Sequence, residues 1–215
     1  MSAIDTVVFD IGNVLLDWNP RHLYRKIFTD VDRMEWFLAN VCTPAWNLEQ
    51  DRGRTFAEAV SLLSERHPEW ANEIAAFDER WVETVAGEIP GSRVLLAELN
   101  RRGVKLYAIT NFSAEKYEEA AARFGLFADF KGVVVSGRER LLKPDAAIYH
   151  LFLERYDVSP ARSLFVDDSH VNVEGARRVG MHAVQFHDAA RLRTELERLG
   201  LLDAPSIAAG HLRGR

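Results

Sequence analysis

Five short β-branched or apolar runs recur along this chain, Thr6–Phe9, Val104–Ile109, Gly132–Val135, Ser163–Val166 and His182–Phe186. From residue 88 onward they alternate with stretches of helical periodicity. Leu95, Leu96 and Leu99 form one stripe before Arg102-Gly103, Tyr117, Ala121 and Phe124 a second before Gly125, and Ala147, Leu151 and Phe152 a third ahead of Asp157. Parallel strands need long crossover connections, so this alternation predicts an α/β fold, a parallel sheet covered by helices on both faces.

Residues 18–87 break the alternation. They carry helical stripes instead, Leu23/Ile27, Phe56/Val60/Leu63 and Ile74/Phe77/Trp81/Val85. Trp36, Trp46, Trp70 and Trp81 lie inside this block and Trp18 at its entrance, which reads as packing between helices. At about 150 residues per domain, 215 residues suit one domain carrying an insertion. The expected division is a sheet core from 1–16 and 88–202, a helical insertion at 17–87, and a loose tail at 203–215, where Ala, Gly, Pro and scattered Arg replace periodic patterning.

Charge and cysteine content narrow the function. Twenty-seven Lys and Arg against 32 Asp and Glu leave a net charge of −5, so no overall basic field draws the protein to nucleic acid or an anionic membrane. Cys42 stands alone and reads as a small buried apolar side chain in a reducing compartment. Asp5 and Asp10 interrupt the first apolar stretch, and no window reaches 18 consecutive apolar residues. The expectation is a cytoplasmic protein whose partner is a small molecule, and a homodimer is compatible with the sequence.

Open parallel sheets collect reactive groups beyond the carboxyl ends of their strands, near the point where strand order reverses. The first run ends in Asp10, followed by Ile11-Gly12-Asn13; the second leads into Thr110-Asn111; the loop after the third leads to Lys143-Pro144; the fourth ends in Asp167-Asp168-Ser169. Taken singly, each has a structural explanation. Asp10 is a turn former or cap, Thr110 a strand residue, Lys143 a solvated side chain, and Asp167-Asp168-Ser169 a cap for the helix through Glu174. Together, at successive strand ends, they put three carboxylates, a hydroxyl, an amide and an ammonium on one rim. Carboxylates that close raise one another's pKa, and a hard cation such as Mg²⁺ relieves the repulsion while taking a substrate phosphate oxygen. Lys143 would neutralise remaining phosphate charge, and Thr110 with the amides after it would donate to phosphate oxygens.

These residues resemble the haloacid dehalogenase-like hydrolase superfamily, through VVFDIGNVLLD at 7–17, YAITNFS at 107–113, LLKPDAAIY at 141–149 and LFVDDSHVNVEGARRVGM at 164–181. The resemblance spans essentially residues 4–200. It implies a three-layer Rossmann-like core with an inserted helical cap. DIGNVLLD and the WNLEQDRG at 46–53 are most similar to a branch of small sugar-phosphate phosphatases that includes a glucose-1-phosphate phosphatase. The implied activity is Mg²⁺-dependent hydrolysis of a small phosphorylated metabolite. Asp10 would be the nucleophile that becomes an aspartyl-phosphate, the Gly12 carbonyl and Asp168 metal ligands, and Asp167 a ligand mostly through water, with the reverse division of that pair left open. Thr110 and Asn111 would hold phosphoryl oxygens, Lys143 would bridge Asp10 and the phosphate, and Asn172 would orient Lys143 or the second metal carboxylate.

One departure stands out. The family's phosphatases carry a second aspartate two positions after the nucleophile, as proton donor to the leaving group, and here that position is Gly12. A good leaving group, a solvent relay or another acid must then serve, with Asp17 and His22 as nearby candidates. A dehalogenase reading of the same fold and a non-catalytic phosphate-binding reading stand as alternatives. Trp18, Asn19, Arg21, Trp46, Glu49 and Arg52 are candidate specificity residues, and the crossing points near 17–20 and 87–91 candidate hinges.

Overall fold

The computed structural model describes residues 4–204. Among these residues are seven strands: β1 (Thr6–Phe9), β2 (Leu16–Trp18), β3 (Val85–Glu88), β4 (Lys105–Thr110), β5 (Gly132–Val135), β6 (Ser163–Asp167) and β7 (His182–Gln185). Five form a parallel sheet in the order β5-β4-β1-β6-β7. The chain builds outward from β1 through β4 to β5, then returns to the other side of β1 for β6 and β7. The order therefore reverses beside β1, which opens a crevice at the carboxyl ends of β1, β4 and β6.

Side chains alternate across the sheet with the period of two that extended backbone imposes. Val7, Phe9, Leu106, Ala108, Leu164 and Val166 belong to one apolar cluster, and Val8, Tyr107, Ile109 and Phe165 to the other. The first cluster runs without a break into the helices inserted after β2, α1 (Pro20–Tyr24), α2 (Val31–Asn40), α3 (Pro44–Asp51), α4 (Phe56–Arg66) and α5 (Ala71–Glu79). It also takes in residues of α6 (Ser92–Arg101), α7 (Ala114–Arg123) and α11 (Ala189–Arg198), while α9 (Ala146–Arg155) and α10 (His170–Arg178) cover the opposite face. A four-residue helix, α8 (Ser136–Glu139), follows β5 directly. Within the insertion Tyr24, Phe28, Phe37, Trp70 and Phe77 form a mutually packed aromatic cluster.

Several expectations are corrected. The insertion is not wholly helical: β2 and β3 pair antiparallel where the chain leaves the sheet layer and returns, so Val85 lies in a strand. Ile89 N–H to Leu15 O and Asn19 N–H to Thr84 O, both 2.8 Å, extend that pairing at either end. Trp36 is 51% exposed, against one face of Trp70, while Trp70 and Trp81 are buried as expected. The buried stripe of α9 is Ile148, Tyr149 and Phe152, which shares only Phe152 with the expected set. Cys42 is buried and free, its thiol pushed up to about 12 by desolvation. The expected tail lies outside the described residues from 205 onward, and no helix among the described residues is long and apolar enough to cross a membrane.

Candidate active site

β1 delivers Asp10 to the centre of the crevice. Its backbone N–H donates to Val166 O at 2.8 Å, which carries the β1–β6 ladder one residue past the strand and fixes the side chain at the rim. Oδ1 accepts from the Ile11 N–H at 2.7 Å and lies 2.8 Å from Lys143 Nζ. Lys143 Nζ also donates to Asp167 Oδ2 at 2.7 Å. All three side chains are buried. Asn111 Nδ2 donates to Lys143 O at 3.1 Å and Asn111 Oδ1 accepts from Lys143 N at 2.9 Å, so one side chain from the end of β4 grips both sides of the lysine's backbone. The side-chain amide of Asn111 thus positions Lys143.

Asp167 is held more tightly still. Asn172 Nδ2 reaches both of its oxygens, at 3.0 and 3.2 Å, and the Ser169 N–H reaches Oδ1 at 2.8 Å. Asn172 therefore orients the carboxylate and does not touch Lys143. Asp168 stands beside it, half-buried, and one ligand oxygen from each of Asp10, Asp167 and Asp168 falls within 4.8 Å of the others. Three acids against one ammonium leave an excess of negative charge in a desolvated site. Burial pushes the Asp10 carboxyl up to about 7, against the pull of Lys143, and Asp167 adds to the push. Burial and then Asp167 raise Asp168 as well. Lys143 itself is raised: desolvation works against its charge, but Asp10 and Asp167 outweigh it. A hard divalent cation fits this donor set, since it removes the repulsion that burial amplifies.

Thr110, at the end of β4, completes the rim. Its Oγ1 is buried and has no hydrogen-bond partner among the described residues, a donor left over at the mouth of the cluster. A buried hydroxyl without a partner is costly, so such an atom marks where a ligand oxygen belongs.

Above the rim lies a cavity of about 70 Å³ bounded by Gly12, Trp18, Asn47, Asp51, Phe56, Trp81, Asn111, Phe112, Ser113 and Lys116. Trp18 and Asn47 also border a wider cleft with Asn19 and Arg21. Trp18, Asn19 and Arg21 thus lie where the sequence suggested, although Arg21 is engaged by Glu35 in a two-pronged pair at 2.6 Å. Trp46 packs edge-on against Phe77, while Glu49 and Arg52 pair loosely at 3.5 Å outside the cavity. Asp17 and His22 pair with each other at 3.2 Å, and neither lines the cavity.

Asp51 escaped the sequence reading. It stands one helical turn after Asn47 on α3, and this i, i+4 spacing puts both on the cavity side. Gly53, with φ of +106°, turns the chain against α8, where a Cβ would come within 2.9 Å of Gly137 O. Ser136 Oγ donates to Asp51 O at 2.6 Å and accepts from the Phe112 N–H at 2.9 Å, joining the helical wall to the sheet.

This rim, on this strand order, accompanies a match to the haloacid dehalogenase-like hydrolase family over residues 4–180. The chain belongs to that family. A sesquiterpene phosphatase, astK, of Aspergillus oryzae is 29% identical over 201 residues, covering 92% of this chain and 97% of that protein. A phosphoserine phosphatase of Thermus thermophilus is 33% identical over 136 residues, 62% of this chain, and the chain spans 53% of its length. Among solved structures, the magnesium complex of a haloacid dehalogenase family enzyme, bt-2542, from Bacteroides thetaiotaomicron superposes with a TM-score of 0.72 at 18% identity, covering 92% of this chain and all of that one (100%). Membership of the haloacid dehalogenase-like hydrolases makes this chain a hydrolase, and its relatives support a phosphatase.

Proposed function

We propose that the protein is a Mg²⁺-dependent phosphatase that hydrolyses a small phosphorylated metabolite, with sugar phosphates as candidates, through a phosphoryl group carried on Asp10. The observation that carries the reading is the buried Asp10–Lys143–Asp167 chain beside Asp168 and an unpartnered Thr110 hydroxyl. In this reading residues 17–87 act as a cap over a core formed by 1–16 and 88–202. Asp10, the Gly12 carbonyl and Asp168 would hold Mg²⁺, with Asp167 acting mostly through water; the ion would supply positive charge to the phosphoryl oxygens and keep Asp10 ionised.

The chain's own groups do the rest. Asp10 Oδ1 is held by Ile11 N–H and Lys143, which leaves Oδ2 to attack phosphorus. Lys143 neutralises charge on the transferred group, and Thr110 Oγ1 donates to one of its oxygens. Asn111 and Asn172 spend their amides fixing Lys143 and Asp167, so attacking and stabilising groups need little rearrangement. A buried free thiol fits a cytoplasmic setting.

A dehalogenase or a simple binding protein would leave the clustered carboxylates unexplained, since neither needs a nucleophile beside a cation site. Phosphate release from hexose 1- and 6-phosphates, prenyl phosphates and phosphoserine, with Mg²⁺ and with chelator, tests the proposal. Release that requires Mg²⁺ is expected. Halide release from 2-chloropropionate without phosphate release, or no turnover on any phosphate ester, would overturn it.

A further inference from the structure

We propose that the Asp51 carboxyl, carried by the inserted helices, is the proton donor to the leaving oxygen and then the base that activates the hydrolytic water. The inference rests on the phosphatase reading above. It starts from Gly12, where an added Cβ would meet nothing within 4 Å: the loop after the nucleophile offers space but no acid. Asp51 borders the same cavity from the opposite wall, together with Ser113.

The surroundings suit a carboxyl that must hold and release a proton. No ion pair binds the Asp51 carboxylate among the described residues, because the cations around it are committed elsewhere. Lys143 is taken by Asp10 and Asp167, Lys116 by Asp78 at 2.6 Å and Glu119 at 2.5 Å, and Arg54 by Gln50 and the Trp46 carbonyl. Glu115 on α7 is spent on the Phe56 N–H at 2.9 Å. Asp51 also ends α3, whose carboxyl-terminal dipole disfavours negative charge. Burial pushes its carboxyl from 3.8 up to about 7; the Ser113 amide pulls down, Asp10 pushes up and Lys143 pulls down. Near neutral pH both forms are populated, as a group acting as acid and then base requires. Its backbone is fixed by the Ser136 hydroxyl on its carbonyl and by the close turn at Gly53.

The two steps balance. Asp10 Oδ2 bonds to phosphorus, the bond from phosphorus to the ester oxygen breaks, and that oxygen takes the Asp51 proton to leave as an alcohol. Asp51, now a carboxylate, removes a proton from water as the water oxygen bonds to phosphorus. The bond to Asp10 then breaks, returning Asp10 as carboxylate, Asp51 as carboxylic acid, and inorganic phosphate as product.

The test uses Asp51→Asn in the full chain with Mg²⁺ and two substrates, an alkyl phosphate and 2,4-dinitrophenyl phosphate, whose phenolate leaves without a proton. Turnover of both by the wild type establishes the phosphatase reading independently. For the variant, turnover of the alkyl phosphate should fall about 10²–10⁴-fold. On the dinitrophenyl ester it should release close to one equivalent of phenolate in a burst at near wild-type rate, then stall as phosphorylated Asp10 accumulates. Alkyl phosphate turnover within about threefold of wild type would overturn the proposal, as would equal loss of the first-turnover rate on both esters. If Asp51→Asn fails to fold by thermal unfolding, Asp51→Ser carries the same expectations.

Discussion

On the sheet side of the cavity nearly every charged atom is answered. Lys143 serves two carboxylates, Asn111 holds the Lys143 backbone, and Asn172 and Ser169 hold Asp167. On the helical side Phe56 and Trp81 border the cavity, and Asp51 has no ion pair among the described residues. One wall is thus locked by mutual hydrogen bonds. The other presents aromatic faces and the Asp51 carboxyl. The difference separates chemistry from choice: a group that must align with phosphorus is over-determined by its neighbours, whereas a wall that receives a variable leaving group keeps unspent valence.

The largest expected effect tests the locked wall. Asp10→Asn should fold and lose at least about 10³-fold in turnover, read by phosphate release, because an amide is a poor nucleophile and a weaker metal ligand. Retention of most activity would remove the contrast altogether. Lys143→Met comes next. It leaves the Asp10 and Asp167 carboxylates buried without their shared cation and should cost about 3–5 kcal/mol in urea unfolding without metal, with Mg²⁺ recovering part. On the other wall Asn47→Ala should change stability by no more than about 0.5 kcal/mol while shifting KM, and a stability cost matching that of Lys143→Met would show the helical wall to be equally locked.

A pH series sharpens the same comparison, since each wall holds one carboxyl raised from 3.8 to about 7 by burial, Asp10 and Asp51. The folded protein then binds more protons than the unfolded chain between those values, so stability falls as pH rises through the window. Metal-free Tm should be higher at pH 5 than at pH 8, and Mg²⁺ should restore more of it at pH 8. Asp51→Asn should flatten part of the metal-free slope, and an unchanged slope would count against a raised Asp51. The smallest effects concern two glycines. Gly12→Ala meets open space and should shift stability by under about 1 kcal/mol, whereas Gly53→Ala, at φ of +106° and facing Gly137 O, should cost about 1–3 kcal/mol in the same urea measurement.

What the sequence discloses follows the same line. Asp10, Thr110 and Asp167 were legible because each ends a strand run whose pattern is plain, and strand ends in a parallel sheet have a known destination. Lys143 was legible only by its place in the order of motifs. The bonds Asn111 makes were not, because an amide's partner is a matter of orientation that spacing does not encode. β2 is only three residues long, and β3, Val-Ala-Gly-Glu, has no β-branched or alternating run to mark it, with Gly87 weakening it further. Asp51 was hidden because Asn47 and Asp51 form a polar pair on a short helix, a pattern shared by any solvated face. Only the docking of α3 onto α8 turns that face inward.

One hydroxyl ties that docking to the sheet. Ser136 touches the carbonyl of the very residue whose side chain borders the reaction chamber, and with its other valence it grips the segment leading out of β4. Swinging the helical roof away to admit a molecule would sever this contact and withdraw the Asp51 carboxyl in the same stroke. An ajar enzyme would be disarmed, and closure would re-arm it only once the roof had shut out bulk water.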